Sequence, residues 1–154
     1  MAQHGYEFLI TIGQFKSPAL RIKLYNSIKQ AGGKLATVIA ASAIVSKYAS
    51  IGEGTIVMHG CIINASSEIG HNAILNTRAI VEHDVKIGNH CHISTNAVLN
   101  GGVKVGDNCF IASSVVTFHG VSIASNIVVG GHSTVVKDLL EEGVYIGSPA
   151  VFHK

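Results

Sequence analysis

Glu82-His83-Asp84 sets an imidazole between two carboxylates. A histidine beside an acid suits general base chemistry: the ring takes a proton from an attacking group, and the carboxylate orients the ring and stabilises the charge it gains. The residues 18 positions to either side complete a column of Ala65, His83, Gly101 and His119. If 18 residues make one turn of the chain, Gly101 lies directly over His83 and leaves a notch above an exposed ring. The chain has nine histidines, so the competing reading of His83 is a solvated surface residue. His90 and His132 are read as facing solvent. Lys86 and Lys104 share another column and are read as a solvated face rather than an anion site.

The 18-residue spacing comes from a repeat. Written in sixes from Ile39, the first positions run Ile39, Val45, Ile51, Val57 and onward to Val135, and sixteen of seventeen are aliphatic, Thr117 being the exception. Every fifth position is small or aliphatic, and no insertion breaks the count from 39 to 140. Gly52, Gly70, Gly88 and Gly106 recur 18 apart, with Ala124 next. Three sixes therefore close one coil, which predicts an all-β solenoid: a triangular parallel β-helix with rungs about 4.8 Å apart. Large first and small fifth residues point inward, because the coil is too narrow for two large side chains. Cys61, Cys91 and Cys109 all fall on fifth positions and are read as core filler.

Composition agrees. The chain of 154 residues is 47% hydrophobic but only 13% charged, with 17 Gly, three Cys and a net charge of +2. That excludes a disordered polyelectrolyte, a disulfide scaffold and a broad nucleic-acid-binding field. The uncharged stretch from Cys109 to Val136 is interrupted by Asn126, His119, His132, Ser and Gly, so no membrane span is expected. The start has no basic segment followed by an apolar core, so no signal peptide is read; the expected location is cytoplasmic.

Three segments follow. Residues 1–38 read as a partial α/β unit: a strand over 6–13, a helix with Ser17 as N-cap, Pro18 at its first position and Leu20, Leu24 and Ile28 as its apolar row, then a strand over 35–39. Residues 39–140 are the β-helix and 141–154 a tail.

The hexapeptide pattern resembles the left-handed β-helix acyltransferases, and the left hand is implied by that resemblance. The tail, Val144-Tyr145-Ile146-Gly147-Ser148-Pro149-Ala150, is similar to the V-x-G-x-P-A ending common among them, with Val151 where a basic residue is usual. Asn76-Thr77-Arg78-Ala79-Ile80-Val81-Glu82-His83-Asp84 resembles the N-T-x-x-x-[VI]-[ED]-H-[DE] segment of the sialic acid O-acetyltransferase and UDP-amino-sugar N-acetyltransferase family. The resemblance implies His83 as catalytic base and Asp84 as the acid that tunes it. It implies contacts to acetyl-CoA from His92, Ser113 and Gly131, and Asn76 and Gly13 on the sugar side. Gly101 is expected to border the thioester, with a nearby backbone N–H facing the oxyanion. The expected reaction moves acetyl from acetyl-CoA to an amino or hydroxyl group of a sugar, a nucleotide-linked amino-sugar being favoured. His83 and His92 are half a coil apart, so one shared site requires two chains, and the resemblance implies a homotrimer.

Two alternatives stand beside this. Carbonic anhydrases of the same helix class bind zinc with two histidines two coils apart and a third five residues on. His83 and His119 fit the first requirement, but Ala124 occupies the third position, so no metal is expected. Relatives also open with a Gly-rich strand, turn and helix that precedes anything seen here, so a non-catalytic assembly domain is the other reading.

Overall fold

In the computed structural model, which describes residues 5–15 and 17–153, each rung pairs in parallel with the one 18 residues away. Val38 pairs with Ile56, Ile56 with Ile74, Ile74 with His92, His92 with Phe110 and Phe110 with Val128. The result is a parallel β-solenoid whose three sides are sheets of eight, six and five strands. The opening residues read for a signal peptide, 1–4, lie outside the described residues. No helix among the described residues is long and apolar enough to cross a membrane.

The interior follows the six-residue code. First positions from Val57 to Val135 are buried, as are the fifth positions Cys61, Ala73, Ala79, Val85, Cys91 and Ala97. Ile39 is 46% exposed because it belongs to the end rung. The polar exceptions spend their groups locally, as burial demands. The Thr117 hydroxyl accepts the Asn100 N–H at 3.1 Å. Thr55 and Ser67 donate to the carbonyls of Gly70 and Glu82 at 2.8 and 2.7 Å. The three thiols are free and buried and donate to coil carbonyls: Cys61 to Asn76, Cys91 to Gly106 and Cys109 to Ala124. Burial pushes the Cys61 thiol above its ordinary pKa.

One corner explains the glycine column. A Cβ on Gly52 or Gly70 would lie 2.6 Å from the carbonyl carbon of the glycine one coil on, and a Cβ on Gly106 would lie 2.6 Å from the Ser125 nitrogen. None of these glycines has a positive φ, so close approach between coils is the reason for them. Ala124 is tolerated because the next segment leaves the period there, Ile123 bridging to Leu139. Beside the glycines runs a ladder of backbone donors. Glu53 N–H donates to His71 Nδ1, His71 N–H to Asn89 Oδ1, Asn89 N–H to Asp107 Oδ1 and Asp107 N–H to Ser125 Oγ. The residue after each corner takes the left-handed conformation. Seven of the ten non-glycine residues that do so are Asn, Asp or His, the types that tolerate it best.

At the front, β1 (Glu7–Phe8) pairs in parallel with β2 (Lys34–Leu35), and α1 (Ala19–Gln30) joins them. Details differ from expectation. The strand is two residues long, and residues 9–14 run on without regular structure. The strand expected over 35–39 is split, since Val38–Ile39 already forms the first rung. Pro18 is the N-cap rather than the first helical residue, and the Ser17 hydroxyl accepts the Ala19 N–H at 3.2 Å. Leu20, expected in the apolar row, is 54% exposed, and the buried residue of α1 is Arg21.

Arg21 ties the two units together. Its Nη1 donates to the carbonyls of Ile10 and Ile12 at 3.1 and 2.6 Å, and its Nη2 to the carbonyl and Oδ1 of Asn72 at 3.1 and 2.6 Å. Nearby, Glu53 pairs with Lys29 at 2.8 Å and accepts the Leu35 N–H at 2.7 Å. The chain ends by extending the eight-stranded sheet through Gly143–Ile146 and folding Val151–His153 back antiparallel.

Gly70→Ala is expected to lower stability by about 1–3 kcal/mol, the usual cost of overpacking, because the added carbon meets backbone that cannot turn aside. Gly13→Ala, with nothing within 4 Å of its Cβ position, is the control. Thermal melts of the two variants against the parent check this, and equal melting temperatures would contradict the close-approach account.

Candidate active site

His83 sits at the corner between the six- and five-stranded sheets, just after the rung Ile80–Val81. Its Nδ1 lies 2.7 Å from Asp84 Oδ2, with both side chains 64% exposed. The left-handed φ of 60° at Asp84 belongs to the corner itself, so the coil geometry presents the acid to the ring. A carboxylate oxygen only accepts, so Nδ1 carries the hydrogen and the neutral ring keeps its lone pair on Nε2. Glu82, the other flanking acid, is held by Asn64 Nδ2 at 3.0 Å.

Gly101 lies one coil above, as the period requires, but the notch differs from expectation. A Cβ there would sit 2.7 Å from both Cε1 and Nε2 of His83. The space left by the missing side chain is therefore taken by the imidazole itself. The positive φ falls on Gly102, not Gly101, so glycine at 101 answers to the ring and not to the backbone. The Gly102 N–H donates to the His83 carbonyl at 2.9 Å, so that N–H is spent within the coil.

Ser113 and Gly131 stack in adjacent coils at a second corner, across the six-stranded sheet from His83. His132 N–H donates to the Ser113 carbonyl at 3.0 Å, and the hydroxyls of Ser113 and Ser94 lie 3.0 Å apart. His92 lies outward on the eight-stranded sheet yet is only 8% exposed, because residues 14–15 cover it. Its Nδ1 meets the Gln14 carbonyl at 2.7 Å and its Nε2 the Asn76 Nδ2 at 3.2 Å. The Phe110 ring stands 5.1 Å away. Burial pulls the His92 pKa below its ordinary value. Gly13 is exposed and directly precedes Gln14.

Within one chain, then, His92, Asn76 and the Gly13–Gln14 segment come together, with Ser113 and Gly131 at the neighbouring corner. His83, Asp84 and Gly101 form a separate group. Sequence reasoning missed Gln14, Phe15 and Phe110. Phe15 and Phe110 wall an apolar cavity of about 440 Å³ that reaches Val128 and Gly131. An aromatic directly after His92 in a column whose other members are aliphatic was the available signal for Phe110. His90, expected in solvent, is half-buried against Tyr25 and Asn72, and that burial lowers its pKa. Lys86 pairs with Glu68 at 2.9 Å on the polar five-stranded face. No group of three His, Cys, Asp or Glu among the described residues is placed to hold a metal ion.

A parallel β-solenoid built on a six-residue repeat is the fold of a class of bacterial transferases. Residues 66–101 and 84–119 match the bacterial transferase hexapeptide family. A histidine-to-asparagine variant of perosamine N-acetyltransferase from Caulobacter crescentus, solved with CoA and GDP-perosamine, superposes with a TM-score of 0.93 at 36% identity, covering 99% of this chain and 71% of that one. The acetyltransferase domain of PglB from Neisseria gonorrhoeae, solved with acetyl coenzyme A, gives 0.94 at 25% identity, covering 99% and 73%. WeeI from Acinetobacter baumannii shares the fold, with a TM-score of 0.85 at 22% identity, covering 90% and 68%. No curated protein sequence matches significantly. The chain belongs to the hexapeptide-repeat acyltransferase family that includes perosamine N-acetyltransferase.

Gly101→Ala is expected to leave folding intact and push the His83 ring out of its seat, cutting acetyl transfer by about tenfold or more. Gly101→Val should do more harm. Turnover measured beside a thermal melt checks this, and a fully active valine variant would separate the glycine from the site.

Proposed function

We propose that the protein transfers acetyl from acetyl-CoA to the amino group of a nucleotide-linked amino-sugar, with His83 as general base. The observation that carries the reading is the His83–Asp84 pair at 2.7 Å, with Nε2 seated under Gly101. The sugar amine attacks the thioester carbonyl and loses its proton to Nε2. Asp84 holds the opposite N–H and stabilises the imidazolium. Collapse of the tetrahedral adduct expels the coenzyme thiolate, which takes the proton back. The relatives solved with CoA and GDP-perosamine, and with acetyl coenzyme A, support the substrate classes. Use of acetyl-CoA supports a cytoplasmic location.

The working unit in this reading is a homotrimer. The three outer faces differ. The five-stranded face carries Ser50, Glu68, Lys86, Lys104 and Ser122, and the N-terminal unit lies against the eight-stranded face. The six-stranded face turns Ile44, Ile62, Ile80, Val98 and Val116 outward. Its two edges are the His83 corner and the Ser113–Gly131 corner. A three-fold ring that buries this face brings the His83 corner of one chain against the Ser113–Gly131 corner of the next. His92, Ser113 and Gly131 then serve the coenzyme, and Asn76 and the Gly13 segment the sugar, from the chain opposite His83.

His83→Ala is expected to lower turnover about a hundredfold or more while leaving the melting temperature unchanged, measured as acetyl-CoA consumption with a panel of nucleotide-linked amino-sugars. Undiminished turnover would assign His83 to the surface. Light scattering should give three chains per particle, and Val98→Glu should divide them. A monomeric parent protein would remove the shared site.

A further inference from the structure

We infer that Gln14 and Asn76 are positioning residues that lock His92 as the Nδ1–H tautomer, so that its Nε2 accepts a hydrogen bond from a substrate N–H and does not donate one. The inference rests on the acetyl-transfer reading and specifies what His92 does within it. Three contacts carry it. The Gln14 carbonyl, 2.7 Å from Nδ1, can only accept, so Nδ1 bears the hydrogen. The Thr77 N–H donates to Asn76 Oδ1 at 2.8 Å. That fixes the amide so that its Nδ2 faces the ring, where it donates to Nε2 at 3.2 Å. Nε2 is therefore a lone pair.

The lock is buried. Gln14 is 4% exposed, and its side-chain amide donates to the Cys109 carbonyl at 3.4 Å, pinning the segment to the sheet. Burial lowers the ring's pKa and so favours its neutral form; the opposing Gln14 bond raises it, and the nearby Arg21 charge lowers it. An acceptor-only ring cannot stabilise an oxyanion. It can orient an N–H, and two substrates of this reaction present one: the pantetheine amide of the coenzyme and the amine of the sugar. In the free protein Asn76 stands in for that donor and keeps the lone pair satisfied.

The tautomer is read directly from ring nitrogen–carbon-proton correlations by NMR on the full ¹⁵N-labelled chain, with no turnover required. The expected result is a protonated Nδ1 and a bare Nε2 at about pH 8, above the ordinary histidine pKa. A protonated Nε2, or averaged nitrogen shifts, would overturn the inference while leaving His83 chemistry untouched. Gln14→Ala should give mixed tautomers with the trimer retained. Asn76→Asp should draw a second proton onto the ring and raise one KM by about tenfold, with kcat changed less. A rise for acetyl-CoA assigns the N–H to the coenzyme, and a rise for the sugar assigns it to the amine. Unchanged KM for both would refute the acceptor role.

Discussion

The narrowness of an 18-residue coil is the constraint from which the rest of this molecule follows. Three short sides enclose room for one large and one small side chain each, so residue size along the interior is dictated every six residues. Where coils come closest, at Gly52, Gly70, Gly88 and Gly106, even a Cβ would meet the next turn of backbone. The same proximity repeats every side chain at a fixed place one rung above or below. Interior order is then inherited by the exterior: whatever stands at a corner is met by the residue 18 positions on.

The His83–Asp84 pair is a product of that inheritance. His83 needs neither a loop nor a deep pocket to hold it. Its ring rests where Gly101 has no side chain, and its acid partner is presented by the left-handed turn every corner makes. The site is therefore rigid at the backbone and open to solvent at the ring. In the proposed reaction so exposed a base needs water excluded by something outside its own prism. The apolar outer row of the six-stranded side, running from one candidate corner to the other, offers the surface on which a second copy can do so.

Much of the fold was legible because the code is local and redundant. Sixteen aliphatic first positions leave little freedom, and the column that pairs His83 with Gly101 follows by counting. The meaning of Gly101 was not legible, because only coordinates show that the ring, and not a substrate, fills the gap. The front unit was read less well for a different reason. Leu20, Leu24 and Ile28 have helical spacing, but Leu20 is solvent-exposed while a charged residue of the same helix is buried. Periodicity cannot foresee a guanidinium that finds four acceptors on two separate segments. The cover over His92 was equally hidden, since Gln14 and His92 are 78 residues apart in sequence.

That buried guanidinium gives the front unit its place. A buried charge needs its donors met, and the Arg21 terminal nitrogens reach backbone carbonyls of its own unit and both oxygens of Asn72, with Nε alone unpaired among the described residues. Asn72 is itself a left-handed corner residue of the solenoid. Among the described residues no carboxylate pairs with Arg21, so the bonds are directional rather than merely attractive. Apolar contact alone would let a short βαβ unit slide along a sheet whose outer surface repeats at every rung. A fork of donors that fits one asparagine in one coil does not slide. It sets the register of residues 9–14 against the sheet, and that register delivers the Gln14 carbonyl to His92.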